Sequence, residues 1–376
     1  MSNRAAALVT LIVIASAGCS VQRPGANVPN GSSSPATAQA SPSSPLGADV
    51  LAFSASTAQA WAVTGTGLIT SMDEGATWTE VKVSGLDVST VQAIGFAGQS
   101  GWIVSLTADG TALQSIETHN GGAEWSTTIL PGSFPDGVNS VAVDALDNST
   151  VFITIKMPFS PAESIGYALE SGDGGKTWSS VDLPNGDPVA FRTVLDGWQA
   201  GGPVNQELNR SQDGGKMWNP VKLPIPAEHK DDRVAYSNPV FFGEDGVLAV
   251  YLRGQEGGPL VVAFFASQNR GDDWVLSSSI DASSDGAQVP VVITGPTSWL
   301  VETSNGLQAS SDGVAFSSVG ESGLAPSSVA LLGSSEHVLW AVVAESSCNA
   351  YKSDCRTKTL LERSTDGGLT WAAIGS

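Results

Sequence analysis

One eight-residue pattern recurs along this chain and restricts its fold more than any other feature. Ser71 to Trp78 reads SMDEGATW, Thr118 to Trp125 THNGGAEW, Ser171 to Trp178 SGDGGKTW and Ser211 to Trp218 SQDGGKMW. Ser267 to Trp274 reads SQNRGDDW, Ser310 to Phe316 SSDGVAF and Ser364 to Trp371 STDGGLTW. The sixth copy is one residue short and has Phe for Trp; the second and fifth carry Asn in place of Asp. A short carboxylate or amide closes a turn by accepting backbone N–H groups a few residues on. Glycine supplies the positive φ that tight turns require, and the closing aromatic lays an apolar face over the turn. Each copy therefore predicts a hairpin turn.

The copies start roughly 40 to 56 residues apart, the interval of propeller blades. A second element precedes them: Trp61-Ala62-Val63, Trp102-Ile103-Val104, Trp198-Gln199-Ala200, Trp299-Leu300-Val301 and Trp340-Ala341-Val342, with Phe152-Ile153 and Leu248-Ala249-Val250 in the same slot of the other two units. Upstream lies a further apolar strand, as at Val50 to Phe53, Val91 to Phe96, Val141 to Val143 and Val189 to Val194. Each unit reads strand, strand, strand, turn, strand. The predicted fold is all-β: one seven-bladed β-propeller of four-stranded antiparallel blades over residues 48–376. Both ends are complete in this reading, so ring closure is expected from packing of the first blade on the last. The two Trp slots consume all eleven tryptophans, leaving none as a platform for a sugar.

The pattern S-x-D-x-G-x-x-W resembles the Asp-box, or BNR repeat, of sialidases, other glycosidases, sortilin-type receptors and photosystem II assembly factors. In those families the boxes lie on the rim, away from the active face. The resemblance implies a structural role for Asp73, Asn120, Asp173, Asp213, Asn269, Asp312 and Asp366, with Trp78, Trp125, Trp178, Trp218, Trp274, Phe316 and Trp371 as the closing aromatics. Gln59 to Trp78 and Asp196 to Trp218 are most similar to the photosystem II stability and assembly factor-like propellers, and the likeness spans Val50 to Gly375. Those photosynthetic members bind assembly partners, are lipid-anchored in cyanobacteria, and carry an arginine-rich patch that this chain lacks.

The N-terminus reads as a targeting segment. Arg4 precedes the apolar run Ala5 to Ala17, too short to span a bilayer. Ser16-Ala17-Gly18-Cys19 resembles the lipobox of bacterial lipoproteins, with Ser16 in the position usually held by Leu. The resemblance implies a signal peptide at 1–18, lipidation of Cys19, and display at the outer face of the bacterial cell membrane; an ordinary secretory signal is the alternative. Residues 19–47, rich in Ser, Pro and Ala, read as a flexible tether. Cys348 and Cys355 remain, and an exported compartment favours a local disulfide between them over two free thiols.

Net charge is −20, with only 17 Lys and Arg. Nucleic-acid binding needs cations that displace phosphate counterions, and that class is set aside. His119, His229 and His337 lack metal-ligand spacing, so neither metal nor cofactor is expected. Gly174-Gly175-Lys176-Thr177 has the ending of a P-loop, but Glu170 stands where its first Gly belongs. No G-x-S-x-G elbow is present. A sialidase requires three converging arginines and a Tyr–Glu pair, and the Arg-Ile-Pro sequence of that family is missing. The expected function is non-catalytic binding by a monomeric, membrane-tethered propeller, whose partner is an envelope or extracellular protein, peptide or glycan. The long inserts at Arg253 to Pro259 and Ser346 to Lys358 are the candidate recognition loops. The alternative is a glycoside hydrolase, sialidase-like or with two carboxylates, working from the propeller's central face.

Overall fold

The computed structural model describes residues 49–56, 59–134, 137–158, 165–202, 207–255, 258–282, 289–319, 329–335, 338–348 and 355–374. At Ser56 and in 329–335, 344–348 and 355–358 only the backbone is described. The expected signal peptide, Cys19 and the tether lie outside these residues.

The chain forms seven antiparallel sheets in sequence order, a seven-bladed β-propeller. Blade 1 shows the plan: Val50–Ser56, Gln59–Thr64, Gly67–Ser71 and Thr79–Val81, each hydrogen-bonded to the next. Blades 2, 3, 4, 6 and 7 repeat it. In blade 5 the innermost strand is broken into Arg233–Tyr236 and Val240–Phe242, both paired with Asp245–Arg253. Pro239 has no N–H for a ladder. Beside it Asn238 turns to blade 4, accepting the Ala200 N–H at 2.7 Å and donating to the Pro188 carbonyl at 2.9 Å.

The repeat closes its turn by a fixed set of bonds. In the first copy Ser71 Oγ accepts the Gly75 N–H (2.7 Å) and donates to Asp73 Oδ1 (2.8 Å), which also accepts the Thr77 N–H (2.8 Å). The same set recurs at Ser171/Asp173, Ser211/Asp213 and Ser364/Asp366. The seventh position of the pattern follows the third. Thr77, Thr177 and Thr370 hydroxyls donate into the second oxygen of their Asp. Where Asn replaces Asp, an acid answers: Asn120 Nδ2 donates to Glu124 (3.3 Å) and Asn269 Nδ2 to Asp273 (2.9 Å). The Asn copies are thus complete turns with the donor reversed. Thr177 and Thr370, through hydroxyl and then backbone N–H, hold Asp173 and Asp366 down at about 2.

The two tryptophan slots differ in depth. Trp61, Trp102, Trp198, Trp299 and Trp340 in second strands are fully buried, whereas most turn tryptophans are half-buried. Several second-strand rings pack under the turn of the following blade. A Cβ on Gly271 (φ +84°) would fall 2.4 Å from the Trp198 ring, and one on Gly75 (φ +81°) 2.4 Å from Trp340. Glycine is needed there for both its dihedral and its missing side chain. Trp102 Nε1 donates to Gly174 O at 3.1 Å.

Trp340 belongs to blade 7 and Gly75 to blade 1, so the same contact closes the ring. Arg363 Nη1 donates to Glu74 O (2.7 Å), Phe53 packs on Trp340 with centroids 5.1 Å apart, and Thr359 N donates to Asp49 Oδ1 (3.1 Å). Blades 1 and 7 each have four strands of their own. Closure by packing is as expected from the sequence.

Candidate functional site

Two ends of the ring carry different chemistry. Backbone bonds tie repeat turns to the hairpin between strands one and two of the same blade: Gly121 N to Gln99 O, Gly174 N to Ser149 O, Gly214 N to Leu195 O and Arg270 N to Glu244 O. The seven sequence-predicted positions therefore sit together at one end, the turn end, each occupied in closing its own turn. Connections between strands two and three, and the blade-to-blade crossings, lie at the opposite, loop end.

Two hairpins at the loop end exceed the rest. Second strands have five to seven residues in blades 1, 2, 3, 4 and 6, but nine in blade 5 (Asp245–Arg253) and eleven in blade 7 (Val338–Cys348). Their return strands are Leu260–Ser267 and Cys355–Ser364. Of the blade-7 insert expected as a loop over Ser346 to Lys358, the described residues 346–348 and 355–358 are strand. Ladder register puts Cys348 opposite Cys355 at the end of the described ladder; their side chains lie outside the described residues. In blade 5, Arg253 Nη1 donates to Gly258 O (3.4 Å) and Gly254 N to Pro259 O (3.3 Å). Gln255 reaches the Asp231 carbonyl, and His229 Nδ1 lies 2.8 Å from Asp232 Oδ2. Where blade 3 crosses to blade 4, Lys156 pairs with Asp187 (2.7 Å), which also accepts the Gly202 N–H (2.9 Å).

Burial raises three acids to about 7. Glu302, in the second strand of blade 6, is buried with neither carboxyl oxygen partnered, and burial pushes it up to about 7. Burial likewise raises Asp144, on the inner strand of blade 3, to about 7 although it accepts the Phe191 N–H at 2.8 Å. Glu117 precedes the second turn, packs against Gly175 of the third, and is raised to about 7 by burial. Sequence reasoning missed all three. The available signal was an acid inside an apolar strand, since Trp299 to Thr303 are all buried. Asp144 and Glu302 stand three blades apart.

Arg192, Arg210 and Arg270 are committed at the turn end. Arg192 and Arg210 share Asp196 (2.6 and 2.8 Å), Arg210 reaches Asp272 (2.7 Å) and stacks 4.9 Å over Trp198, and Arg270 pairs with Glu244. This network joins blades 4 and 5 at the turn end. Tyr251 OH donates to Val289 O (3.3 Å). Among the described residues no group of three His, Cys, Asp or Glu is placed to hold a metal ion.

No family model and no curated protein sequence matches this chain. Solved structures do. A GH74 xyloglucanase from Xanthomonas campestris is 13% identical, with 85% of this chain and 62% of that one covered at a TM-score of 0.32. A GH93 α-L-arabinofuranosidase of Fusarium graminearum is 12% identical, with 74% and 94% covered at 0.39. A prolyl endopeptidase is 10% identical, with 87% and 49% covered at 0.51. The chain spans less than two thirds of the xyloglucanase and half of the endopeptidase. At these identities the likeness is one of fold.

Proposed function

We propose that this chain is an exported Asp-box propeller, similar in layout to the photosystem II assembly factor-like propellers. It is tethered through lipidated Cys19 at the outer face of the cell membrane, and its loop end binds an envelope protein, peptide or glycan without catalysis. One observation carries the binding reading: the two longest hairpins, in blades 5 and 7, project from the same end of a rigid ring. Extensions on a fixed scaffold present side chains with little ordering cost on binding. A Cys348–Cys355 bridge supports the reading, because directly opposed strand residues have Cα separations of about 4.5 to 5.5 Å, within the disulfide range.

The test is binding of purified chain to envelope fractions, beside a variant in which Asn-Gly replaces 347–356. Binding should fall at least about tenfold, which is roughly 1.4 kcal/mol; equal binding contradicts the reading. Fluorogenic glycosides separate the enzyme alternative: the proposal expects no release. Fatty-acid labelling should vanish in Cys19→Ser, and labelling that persists contradicts the anchor.

A further inference from the structure

Sheets of a propeller leave their outermost strands with one unpaired edge, and natural edges are kept short, charged or interrupted by proline. Six blades here follow that rule: Thr79–Val81, Ser126–Ile129, Ser179–Asp182, Asn219–Pro220, Ser317–Ser318 and Ala372–Ala373 have two to four residues each. Blade 5 breaks it. Its outer strand Val275–Asp281 has seven residues, pairs on one side only among the described residues, and contains neither proline nor lysine. Exposure alternates along it, and Val275 is 67% exposed.

A cleft of about 580 Å³ opens beside the first half of this strand, lined by Ala266, Gln268, Asn269, Asp273, Val275 and Leu276. Its origin is visible in the repeat. The residue before each turn reaches the next blade's turn when it is long: Glu117 packs on Gly175, Arg210 pairs with Asp272, and Arg363 donates to Glu74 O. In blade 5 that residue is Ala266, and the sixth turn it would reach is the shortened one. A bulge at Ser277, whose hydroxyl donates to Gly313 O at 2.7 Å, pins the strand to blade 6. Beyond it, Ser278 to Asp281 pair regularly on the inner side.

We infer that this edge is a strand-addition site for an extended partner peptide with an alternating apolar centre and basic ends. The peptide adds one strand to the blade-5 sheet and seats an apolar side chain in the cleft, main-chain bonds giving affinity and the pocket giving selectivity. Charge selects the occupant. Asp273 stands at one end of the strand and Asp281 at the other, while Asp272 is taken by Arg210, on a chain of net charge −20. A second copy would bring the same acids and the same charge to the seam. The chain's own N-terminal segment is a poor ladder partner because Pro24, Pro29, Pro35, Pro42 and Pro45 interrupt it. This site is on the outer rim and is independent of the loop end.

The test uses the full chain and two synthetic peptides, one of alternating Thr and Val flanked by Lys, the other with Pro at its central positions. Hydrogen exchange read by mass spectrometry should show new protection within 275–281 on adding the first peptide and none with the second. Val275→Lys, at a position too exposed to disturb the fold, should weaken the first peptide at least about tenfold through charge repulsion at the cleft mouth. Its circular dichroism and melting should match the parent chain. Protection outside blade 5, equal binding of the proline peptide, or unchanged affinity in Val275→Lys overturns the proposal. So does a dimer in sedimentation that Val275→Lys dissolves, since the edge would then serve self-pairing.

Discussion

Replacing Glu302 by Gln should remove one source of alkaline instability. The Glu302 carboxyl is buried and both its oxygens lack partners, so the fold accepts its neutral form and penalises the anion. Its folded pKa of about 7 lies above the ordinary 4.5. Its favourable contribution is therefore complete below about 4.5 and is lost as pH rises through 7. A shift of this size corresponds to about 3 kcal/mol, which screening by nearby solvent reduces to about 2 kcal/mol. Gln is equally buried and does not titrate, so its own cost is constant with pH. Denaturant unfolding of both proteins should show Glu302→Gln gaining about 2 kcal/mol relative to the parent between pH ~5 and pH ~8.5. At roughly 0.7 kcal/mol/K for a ring of this length, that is about 3 °C in Tm. Glu117 and Asp144 titrate in both proteins and cancel. A stability difference that stays constant across this pH range would refute a desolvated carboxyl at 302.

Other outcomes follow from the turns and seams. Asn120→Asp sets a second carboxylate against Glu124 and should destabilise by about 1 kcal/mol; adding Glu124→Thr should restore it, with a double-mutant cycle in urea as the readout. Gly75→Ala drives a methyl into the Trp340 ring at the closing seam and strains a positive φ, so at least about 2 kcal/mol should be lost in thermal melts. Acid melts should show the turns weakening as pH falls from about 4 toward 2, because Asp173 and Asp366 have lowered pKa values and their contribution is lost on protonation. Intact-mass analysis of the exported chain should show Cys348 and Cys355 lacking two hydrogens and blocked to alkylation until reduced.

What the sequence made legible was local. The turn bonds run within eight residues, so Ser, Asp or Asn, Gly and Trp at fixed offsets announce each hairpin without knowledge of neighbours. The second-strand aromatics were equally plain. Contacts between blades were not, because nothing local says that Trp340 meets Gly75, or that Ala266 leaves space where Arg210 fills it. The Asn-for-Asp copies look degenerate until Glu124 and Asp273 are seen beside them. Asn238-Pro239 was a readable signal for the broken inner strand of blade 5. For the candidate site, the excess length in blades 5 and 7 was legible. That the described part of the blade-7 insert continues as paired strand depends on cross-strand register, which composition does not encode.

The central claim is that the loop end recognises the envelope partner, whereas the turn end, the blade-5 cleft apart, is structural. Photo-crosslinkable residues placed singly at Gln255, beside the blade-5 hairpin, and at Met217, exposed on the fourth turn, test it in the native envelope. The account predicts a discrete adduct from Gln255 and none from Met217. Adducts from Met217 alone, or equally from both, would contradict it.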